Sequence, residues 1–284
     1  MRTEPLSEAL GAQLLDLDIK SECDAKERAE LRRLFCEYHL LLVRGQELDK
    51  DDQTRFVGYF GPVHLRADGK IETYVSNIEA EGAVGTGQSE LLWHQDGTYG
   101  ARPGIATSLW AQEVSPDAVP TLFANAMRVL EMLPPDLRAR IDHLHAVNGK
   151  DADAERTQVR FREDGSRRVI RYEQPIVYET PHSGQKTILV SEFMTSHVVE
   201  LSSDEGEALL QDLYSRIYAD DNVYVHHWQP DDLIIWDNLA LHHRRPADMG
   251  VAARRLRRQS LDGWYADGGV IDWPETVVGY AAAT

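Results

Sequence analysis

The chain contains 284 residues, of which 42% are hydrophobic and 27% charged, and its formal net charge is −17. This composition is typical of a folded globular protein and excludes a disordered, collagenous or low-complexity chain. An acidic surface repels phosphate groups, so nucleic acid and anionic membranes are poor candidate partners. No apolar run approaches the length that spans a bilayer, and the N-terminus lacks the basic and apolar segments of a signal peptide. The two cysteines, Cys23 and Cys36, are expected to be buried thiols, and together these features predict a cytoplasmic protein.

The N-terminal part of the chain alternates between strand and helix patterns. Apolar alternation over residues 12–19 predicts a strand, and Leu40–Val43 predicts a short buried strand further on. Between them, Asp24 and Glu27 form a capping-box pattern that opens a helix. A second helix is predicted to end at Gly61, because glycine is suited to a C-terminal cap.

A glycine-rich segment follows at residues 79–91, and it contains no aromatic side chain. The segment runs directly into the sequence Leu-Trp-His that ends at His94. We interpret it as a lid loop that covers the site to which this Leu-Trp-His sequence belongs. An ordinary surface loop with the same composition is the alternative.

The later part of the chain mixes helix and strand patterns without a regular repeat. The patterns predict a helix pair at 124–133 and 135–143, followed by an exposed charged insertion at 149–167. A capped helix opened by Ser202 comes next. A β-hairpin is then predicted from residues 223–228 and Leu233–Asp237. No long linker or break in composition divides the chain, so we expect one domain over residues 1–284. Whether this domain forms a homo-oligomer is left open.

Eleven histidines raise the question of a metal site, and His94 is the one with a carboxylate two residues later. Residues i and i+2 of an extended strand point to the same face, so His94 and Asp96 can meet at one point. Near the other end of the chain, His242 and His243 follow a strand, and one of them would complete a set of two histidines and one carboxylate. Such a set leaves positions of an octahedral metal open, as in non-haem Fe(II) oxygenases. Zinc with the same ligands, which would favour hydrolysis, is the alternative.

Residues 253–258 form a basic, strand-like segment in an acidic protein. Successive side chains of a strand face opposite ways, and an arginine that points towards an iron site needs an anionic partner. A co-substrate carboxylate fits, because guanidinium binds carboxylate through two parallel hydrogen bonds. A basic strand exposed to solvent is the alternative.

The segments LLWHQDGTY, PTLFANA, WDNLALHH and RRLRRQSLDG occur in this order, and through them the chain resembles the TauD/TfdA family of Fe(II)/2-oxoglutarate-dependent dioxygenases. The resemblance covers nearly the whole chain. It implies a mostly β fold with flanking helices, a double-stranded β-helix of the jelly-roll, cupin-like type. It also implies Fe(II), 2-oxoglutarate and O2 as cofactor and co-substrates, together with a small-molecule substrate.

Transferred residue by residue, the resemblance implies that His94, Asp96 and His243 bind the iron. The family spacing from the asparagine of the WDN motif selects His243 over His242, which is then a packed or exposed neighbour. The resemblance further implies that Thr121 binds the far carboxylate of 2-oxoglutarate, together with an arginine that falls at position 254. The aspartate at position 96 argues against a halogenase, because the related halogenases lose that carboxylate.

Arg254 is therefore expected at the co-substrate, and Arg258 matches the position where taurine-type members bind the sulfonate or carboxylate of the substrate. This favours a small anionic substrate, such as an amino acid or a carboxylic acid, while a structural ion pair is the alternative role of Arg258. The remaining residues of the substrate pocket are expected to be His64, Tyr99, Glu192 and Phe193. For the aromatic residues among them, core packing is the alternative, and His64 and Glu192 could equally be exposed.

Two departures from the family pattern concern the substrate. Glu90 stands where the taurine enzyme has a substrate-contacting asparagine, and VSEFMTSHVV does not match the taurine pocket, so neither taurine nor a chlorophenoxy acid is favoured. The expected reaction is hydroxylation with succinate and CO2 as co-products, and a same-family desaturase or isonitrile-forming oxidase of a biosynthetic pathway is the alternative. A zinc-dependent hydrolase and a non-catalytic binding module are more distant alternatives.

Overall fold

The computed structural model describes residues 1–66, 69–78, 90–151, 169–247 and 252–261, with the backbone of short strands at 83–84, 265–266 and 269–270. Within these residues the α-helices are α1 (Ala25–Tyr38), α2 (Lys50–Gly58), α3 (Ala126–Met132), α4 (Pro135–Ile141) and α5 (Ser203–Ile217). A short 3₁₀ helix spans Asp220–Asn222.

The β-strands of the described residues are β1 (Thr3–Pro5), β2 (Ala12–Leu14), β3 (Leu40–Val43), β4 (Glu72–Ser76), β5 (Ala83–Val84), β6 (Leu91–His94), β7 (Ala106–Val114), β8 (Thr121–Asn125), β9 (His145–Asp151), β10 (Val169–Pro175), β11 (Val177–Glu179), β12 (Lys186–Ile188), β13 (Thr195–Val198), β14 (Val223–His226), β15 (Leu233–Asp237), β16 (Leu241–Arg245), β17 (Arg254–Leu261), β18 (Tyr265–Ala266) and β19 (Gly269–Val270). Short sheets are formed by β10-β9-β13, by β11-β12 and by β18-β19.

Two further sheets, both mainly antiparallel, face each other and form the body of the protein. The larger sheet has the strand order β1-β2-β3-β15-β7-β17-β4-β5, and the smaller has the order β14-β8-β16-β6. Leu42 and Trp236 of the larger sheet share one buried apolar cluster with Phe123 and Leu241 of the smaller sheet. This face-to-face packing is that of a jelly roll, and the mostly β fold that the sequence predicts is confirmed.

Helices α1 and α5 begin at the predicted capping boxes and cover the outer faces of the sheets. The Asp24 carboxylate accepts from the backbone N–H of Glu27 at 2.8 Å, and the Ser202 hydroxyl accepts from the N–H of Glu205. Helix α1 buries three side chains in the cluster behind the larger sheet: Leu31, Leu34 and Phe35. Helix α5 buries five others in the cluster behind the smaller sheet: Leu209, Leu210, Leu213, Tyr214 and Ile217. The interior between the sheets holds the apolar cluster and, beside it, buried polar residues of β6, β8, β16 and β17.

Some predicted boundaries are wrong by a few residues. The first predicted strand ends at Leu14, because the Asp18 carboxylate accepts two hydrogen bonds within the turn that follows. The helix predicted from residue 124 begins at 126, because Asn125 ends β8 and its side chain caps α3. Helix α2 ends at Gly58 rather than at Gly61.

The hairpin predicted from residues 223–228 and Leu233–Asp237 is wrong. Strand β14 pairs with β8 in the smaller sheet, whereas β15 lies between β3 and β7 in the larger sheet. The turn between them carries the chain from one sheet to the other, and the buried Asp232 stabilises it by accepting from the N–H of Gln229 and from Arg44. Alternating patterns identify strands, but they do not say which strands pair.

Two predicted segments lie mostly outside the described residues. Of the lid at 79–91, the structure describes β5 and residues 90–91, and of the insertion at 149–167 it describes 149–151, which belong to β9. The lid and the single-domain organisation therefore stay predictions. In the described part of the chain, no helix combines the length and the apolar character that crossing a membrane requires.

Candidate metal and co-substrate centre

Strands β6 and β16 place two histidines directly opposite each other. The strands pair antiparallel with His94 opposite His243, and the centroids of the two imidazole rings are 4.1 Å apart. Asp96 follows β6, and one of its carboxylate oxygens lies 3.8 Å from Nε2 of His94 and the other 3.8 Å from Nε2 of His243. The donor atoms of the three residues all lie within 4.8 Å of one another. Cross-strand pairing thus brings together ligands that are far apart in the sequence.

The chemistry of these donors fits a divalent metal such as Fe(II). Nδ1 of His94 lies 2.7 Å from the carbonyl oxygen of Leu92, so this nitrogen carries the proton and Nε2 keeps its lone pair for a metal. Burial, with a further contribution from His94, lowers the pKa of His243 well below its usual value and keeps that imidazole neutral. Within the described ranges, this is the one group of three such side chains whose donor atoms lie this close together. Two imidazoles and a carboxylate leave further positions of a metal open.

Asn238 holds the backbone of the ligand loop. Its Oδ1 accepts from the N–H of Asp96 at 2.8 Å, and its Nδ2 donates to the carbonyl oxygens of Asp96 at 2.9 Å and of Gly104 at 2.7 Å. Asn238 is fully buried in the turn between β15 and β16, a few residues before His243. It therefore links the loop of one ligand to the strand of another. In the sequence, Asn238 is recognisable only as part of the WDN motif, and its contacts with the ligand loop appear only in the fold.

Gly97 forms the turn directly after Asp96. Its φ of 78° lies in the left-handed region, which glycine adopts without strain. A Cβ at this position would lie 3.1 Å from the backbone nitrogen of Gly104. Any larger residue would therefore press the ligand loop against the neighbouring backbone.

Arg258 contacts the carboxylate ligand from the larger sheet. Its Nη2 donates to Oδ2 of Asp96 at 2.7 Å, and the hydroxyl of Thr107 lies 3.4 Å from the same oxygen. Such a charge-assisted hydrogen bond restricts the orientation of the carboxylate. The ion pair predicted as the alternative role of Arg258 is present, and a contact of Arg258 with substrate stays a prediction.

Arg254 and Thr121 meet in the interior between the sheets. Nη2 of Arg254 donates to Oγ1 of Thr121 at 3.1 Å, and Nε1 of Trp228 donates to the same oxygen at 3.0 Å. Arg254 and Thr121 are 3% and 4% exposed. Arg254 lies four residues from Arg258 on the same face of β17, or about 13 Å along the strand. The two interior arginines therefore lie on one side of the larger sheet, with Arg258 at Asp96 and Arg254 at Thr121.

The arginines of β17 divide between its two faces. Arg254 and Arg258 face the interior, whereas Arg255 and Arg257 face outwards. Arg257 is buried under α2, where its Nε donates to Oε1 of Gln53 at 2.7 Å. The predicted basic strand is thus partly an interior strand, and only half of its arginines can serve the site.

His242 points away from the metal ligands. It is fully buried, with Nδ1 at 3.0 Å from the Tyr218 hydroxyl and Nε2 at 3.4 Å from the carbonyl oxygen of Ile188. Burial lowers its pKa to about 3, so this imidazole is neutral. His242 is a packed neighbour, and His243 is the histidine that lies beside His94.

Two of the predicted substrate residues lie close to the ligand set. The Phe193 ring stands edge-on to the His94 ring, with 5.8 Å between the centroids. Burial raises the pKa of Tyr99, the charge of Asp96 raises it further and the charge of Arg258 opposes this. Tyr99 lies in the turn that follows Asp96, where the N–H of Gly100 donates to the carbonyl oxygen of Gly97 at 3.0 Å.

The other two predicted substrate residues are positioned by their backbones. The N–H of His64 donates to the carbonyl oxygen of Ser260 at 2.8 Å, which places His64 beside β17 near the interior arginines. The N–H of Glu192 lies 3.4 Å from the hydroxyl of Tyr218. Because Tyr218 packs behind β16, the backbone of Glu192 lies on the side away from the metal ligands.

Two histidines and one carboxylate gathered on paired neighbouring strands of a jelly roll are the ligand set typical of non-haem Fe(II) oxygenases. The family model described as "Taurine catabolism dioxygenase TauD, TfdA family" matches residues 2–259, and the chain belongs to this family. The resemblance stated from the sequence is therefore confirmed.

Individual relatives agree with this assignment. The chain is 27% identical over 281 residues to the alpha-ketoglutarate-dependent 2,4-dichlorophenoxyacetate dioxygenase of Cupriavidus pinatubonensis, with 89% of this chain and 95% of that protein covered. It is 27% identical to pentalenolactone F synthase of Streptomyces arenae, with 91% and 94% covered. A taurine dioxygenase structure from Burkholderia xenovorans superimposes with a TM-score of 0.76 at 26% identity, covering 92% of this chain and 90% of that one. The chain is an Fe(II)/2-oxoglutarate-dependent dioxygenase that uses O2, as predicted.

Proposed function

We propose that this dioxygenase oxidises a C–H bond of a small anionic substrate, such as an amino acid or a carboxylic acid, by hydroxylation, with succinate and CO2 as co-products. The observation that carries the proposal is the position of Arg258. Its guanidinium contacts the metal-ligand carboxylate of Asp96, and its side chain is 27% exposed. A guanidinium has several N–H donors, and Asp96 uses one of them. The others suit a carboxylate or sulfonate of the substrate.

The residues around the metal divide the remaining tasks. His94, Asp96 and His243 would hold Fe(II), which supplies the activation of O2 that is coupled to decarboxylation of 2-oxoglutarate. Arg254 and Thr121 would bind the far carboxylate of 2-oxoglutarate, deep between the sheets where water is excluded.

The position of Arg258 also limits the size of the substrate. An anion bound by Arg258 lies next to a ligand of the metal, so the oxidised carbon is only a few bonds from the anionic group. The aromatic rings of Tyr99 and Phe193 supply apolar walls for the carbon skeleton. The 2,4-dichlorophenoxyacetate and taurine named for the relatives each carry an acidic group, which supports the class of substrate but not either compound.

Glu90 supports a substrate different from taurine. It forms an ion pair with Arg244 of β16 at the start of β6, where the resemblance places a substrate-contacting asparagine in the taurine enzyme. The Glu90 carboxylate, paired with Arg244, offers a substrate a different contact from the side-chain amide of an asparagine.

The test is a panel of small acids, each incubated with the Fe(II) enzyme, 2-oxoglutarate and O2, with succinate release and product mass as readouts. A product that gains one oxygen supports hydroxylation, and one that loses two hydrogens shows desaturation instead. Once a substrate is known, Arg258→Gln should raise its KM, while Arg255→Gln, on the outer face of the same strand, should leave KM unchanged. Equal turnover of the acid and its neutral amide would contradict the proposal.

We further propose that the protein acts in the cytoplasm. Cys23 and Cys36 are free and buried, which suits a reducing compartment, and burial raises the pKa of the Cys36 thiol. Fractionation of cells that express the tagged protein tests this placement.

A further inference from the structure

The hydroxyl of Thr121 receives two hydrogen bonds that cannot reverse direction. The indole Nε1–H of Trp228 donates to it at 3.0 Å, and the guanidinium of Arg254 donates to it at 3.1 Å. Indole and guanidinium are donors only, and neither can accept a proton from the threonine. All three residues are buried, with 3–4% of their surface exposed.

A hydroxyl oxygen has two lone pairs, and in Thr121 both are used. The proton of the hydroxyl must then point away from Trp228 and from the donating nitrogen of Arg254. Within the described residues, no protein group accepts a hydrogen bond from this hydroxyl. The Thr121 hydroxyl is thus prepared as a donor for a ligand that Arg254 also contacts.

We propose that Trp228 is a positioning residue for the co-substrate: it fixes the Thr121 hydroxyl as a donor to the far carboxylate of 2-oxoglutarate. The inference rests on the proposed function, in which Thr121 and Arg254 bind that carboxylate. With the indole N–H removed, one lone pair of the hydroxyl is released and the proton can turn away from the carboxylate. The effect falls on co-substrate affinity, because Trp228 touches none of the metal ligands.

The indole itself is held by a buried polar group. The His226 ring stands edge-on to the Trp228 ring at 4.5 Å and 86°, and His226 pairs with Thr121 across β14 and β8. The Nδ1 of His226 lies 3.1 Å from the Tyr224 hydroxyl, and its Nε2 lies 3.2 Å from Oδ2 of Asp232. These contacts fix the plane of the indole and therefore the direction of its N–H.

The experiment measures binding of 2-oxoglutarate to the Mn(II)-loaded full chain by calorimetry without O2. Trp228→Phe keeps an aromatic ring but lacks the N–H, and we expect about tenfold weaker binding with unchanged affinity for Mn(II). Thr121→Val should weaken binding at least as much, and Thr121→Ser should restore it. The matched control is Trp110→Phe, which removes an indole N–H that donates to the carbonyl oxygen of Gln46 instead. It should not change the affinity.

A double substitution separates a direct role from a packing role. If Trp228 acts through the hydroxyl, Trp228→Phe has no further effect in the Thr121→Val background. Pyruvate, a 2-oxo acid without the far carboxylate, should bind the native chain and Trp228→Phe equally.

Three results would overturn the inference: unchanged 2-oxoglutarate affinity in Trp228→Phe, full additivity in the double variant, or an equal loss for pyruvate. If Trp228→Phe does not fold, tight binding of 2-oxoglutarate by Thr121→Val overturns it as well. If the proposed function itself is wrong and Arg254 does not bind the co-substrate, Arg254→Gln will bind 2-oxoglutarate as tightly as the native chain. If only the inference about Trp228 is wrong, Arg254→Gln will still bind 2-oxoglutarate more weakly.

Discussion

Asn238→Ala removes the side chain that holds the backbone of the metal-ligand loop. Three hydrogen bonds of 2.7–2.9 Å disappear, two of them to Asp96 and one to Gly104. A net contribution of about 1 kcal/mol for each bond gives a total of roughly 3 kcal/mol. Part of this loss lowers the free energy of unfolding and part lowers the affinity for the metal. If all of it fell on metal binding, the affinity would drop about a hundredfold, which is the upper limit. We expect at least about a tenfold loss, because the bonds act on the ligand loop itself.

The assay is a Mn(II) titration by calorimetry, paired with urea unfolding of the same variant. Asn222→Ala is the matched control, since Asn222 is equally buried and its side chain bonds to the backbone oxygens of Asn125 and Ile217, away from the metal ligands. It should lower the free energy of unfolding by a similar amount and leave Mn(II) affinity unchanged. Asn238→Asp adds a second test, because it places a carboxylate oxygen against two carbonyl oxygens and should weaken metal binding further. Native Mn(II) affinity in Asn238→Ala, with only a loss of stability, would refute the reasoning.

Three further predictions concern the ligand choice, the turn and the response to acid. His243→Ala should abolish Fe(II) binding and His242→Ala should retain it, as measured by anaerobic titration; the reverse result would reassign the ligand. Gly97→Ala should lower metal affinity, whereas Gly184→Ala, with a similar positive φ but open space around it, should only lower the free energy of unfolding, by about 1 kcal/mol. Burial lowers the pKa of His39 below 6.5, so the unfolded chain binds more protons below that pH and stability falls on acidification. His39→Asn, which tolerates the left-handed backbone at this position, should reduce that fall in urea unfolding.

Local patterns were sufficient for the parts of the site that depend on one strand. Alternation along an extended segment places His94 and Asp96 on one face, and the structure shows both at the ligand cluster. The capping boxes at Asp24 and Ser202 open helices at the predicted residues, because those hydrogen bonds join residues three apart in the chain.

Features that depend on contacts between distant parts of the chain could not be predicted from the sequence. Strand β14 shows the same alternation whether it pairs with β15 or with β8, so its partner could not be predicted from its pattern. Likewise Asn238 and Trp228 are ordinary polar and aromatic residues until the fold places Asp96 and Thr121 against them. Their roles follow from three-dimensional neighbours and from nothing within their own segments.

The two-faced arrangement of β17 makes the site sensitive to the length of this strand. The inner arginines contact Thr121 and Asp96, while Arg257 anchors the outer face to Gln53 of α2. Deleting one residue between Arg254 and Arg258 would reverse the facing of every later side chain, so that Arg258 would point away from Asp96. Substitutions in β17 can therefore alter one contact at a time, whereas an insertion or deletion there disrupts the contacts with Asp96, Thr121 and α2 together.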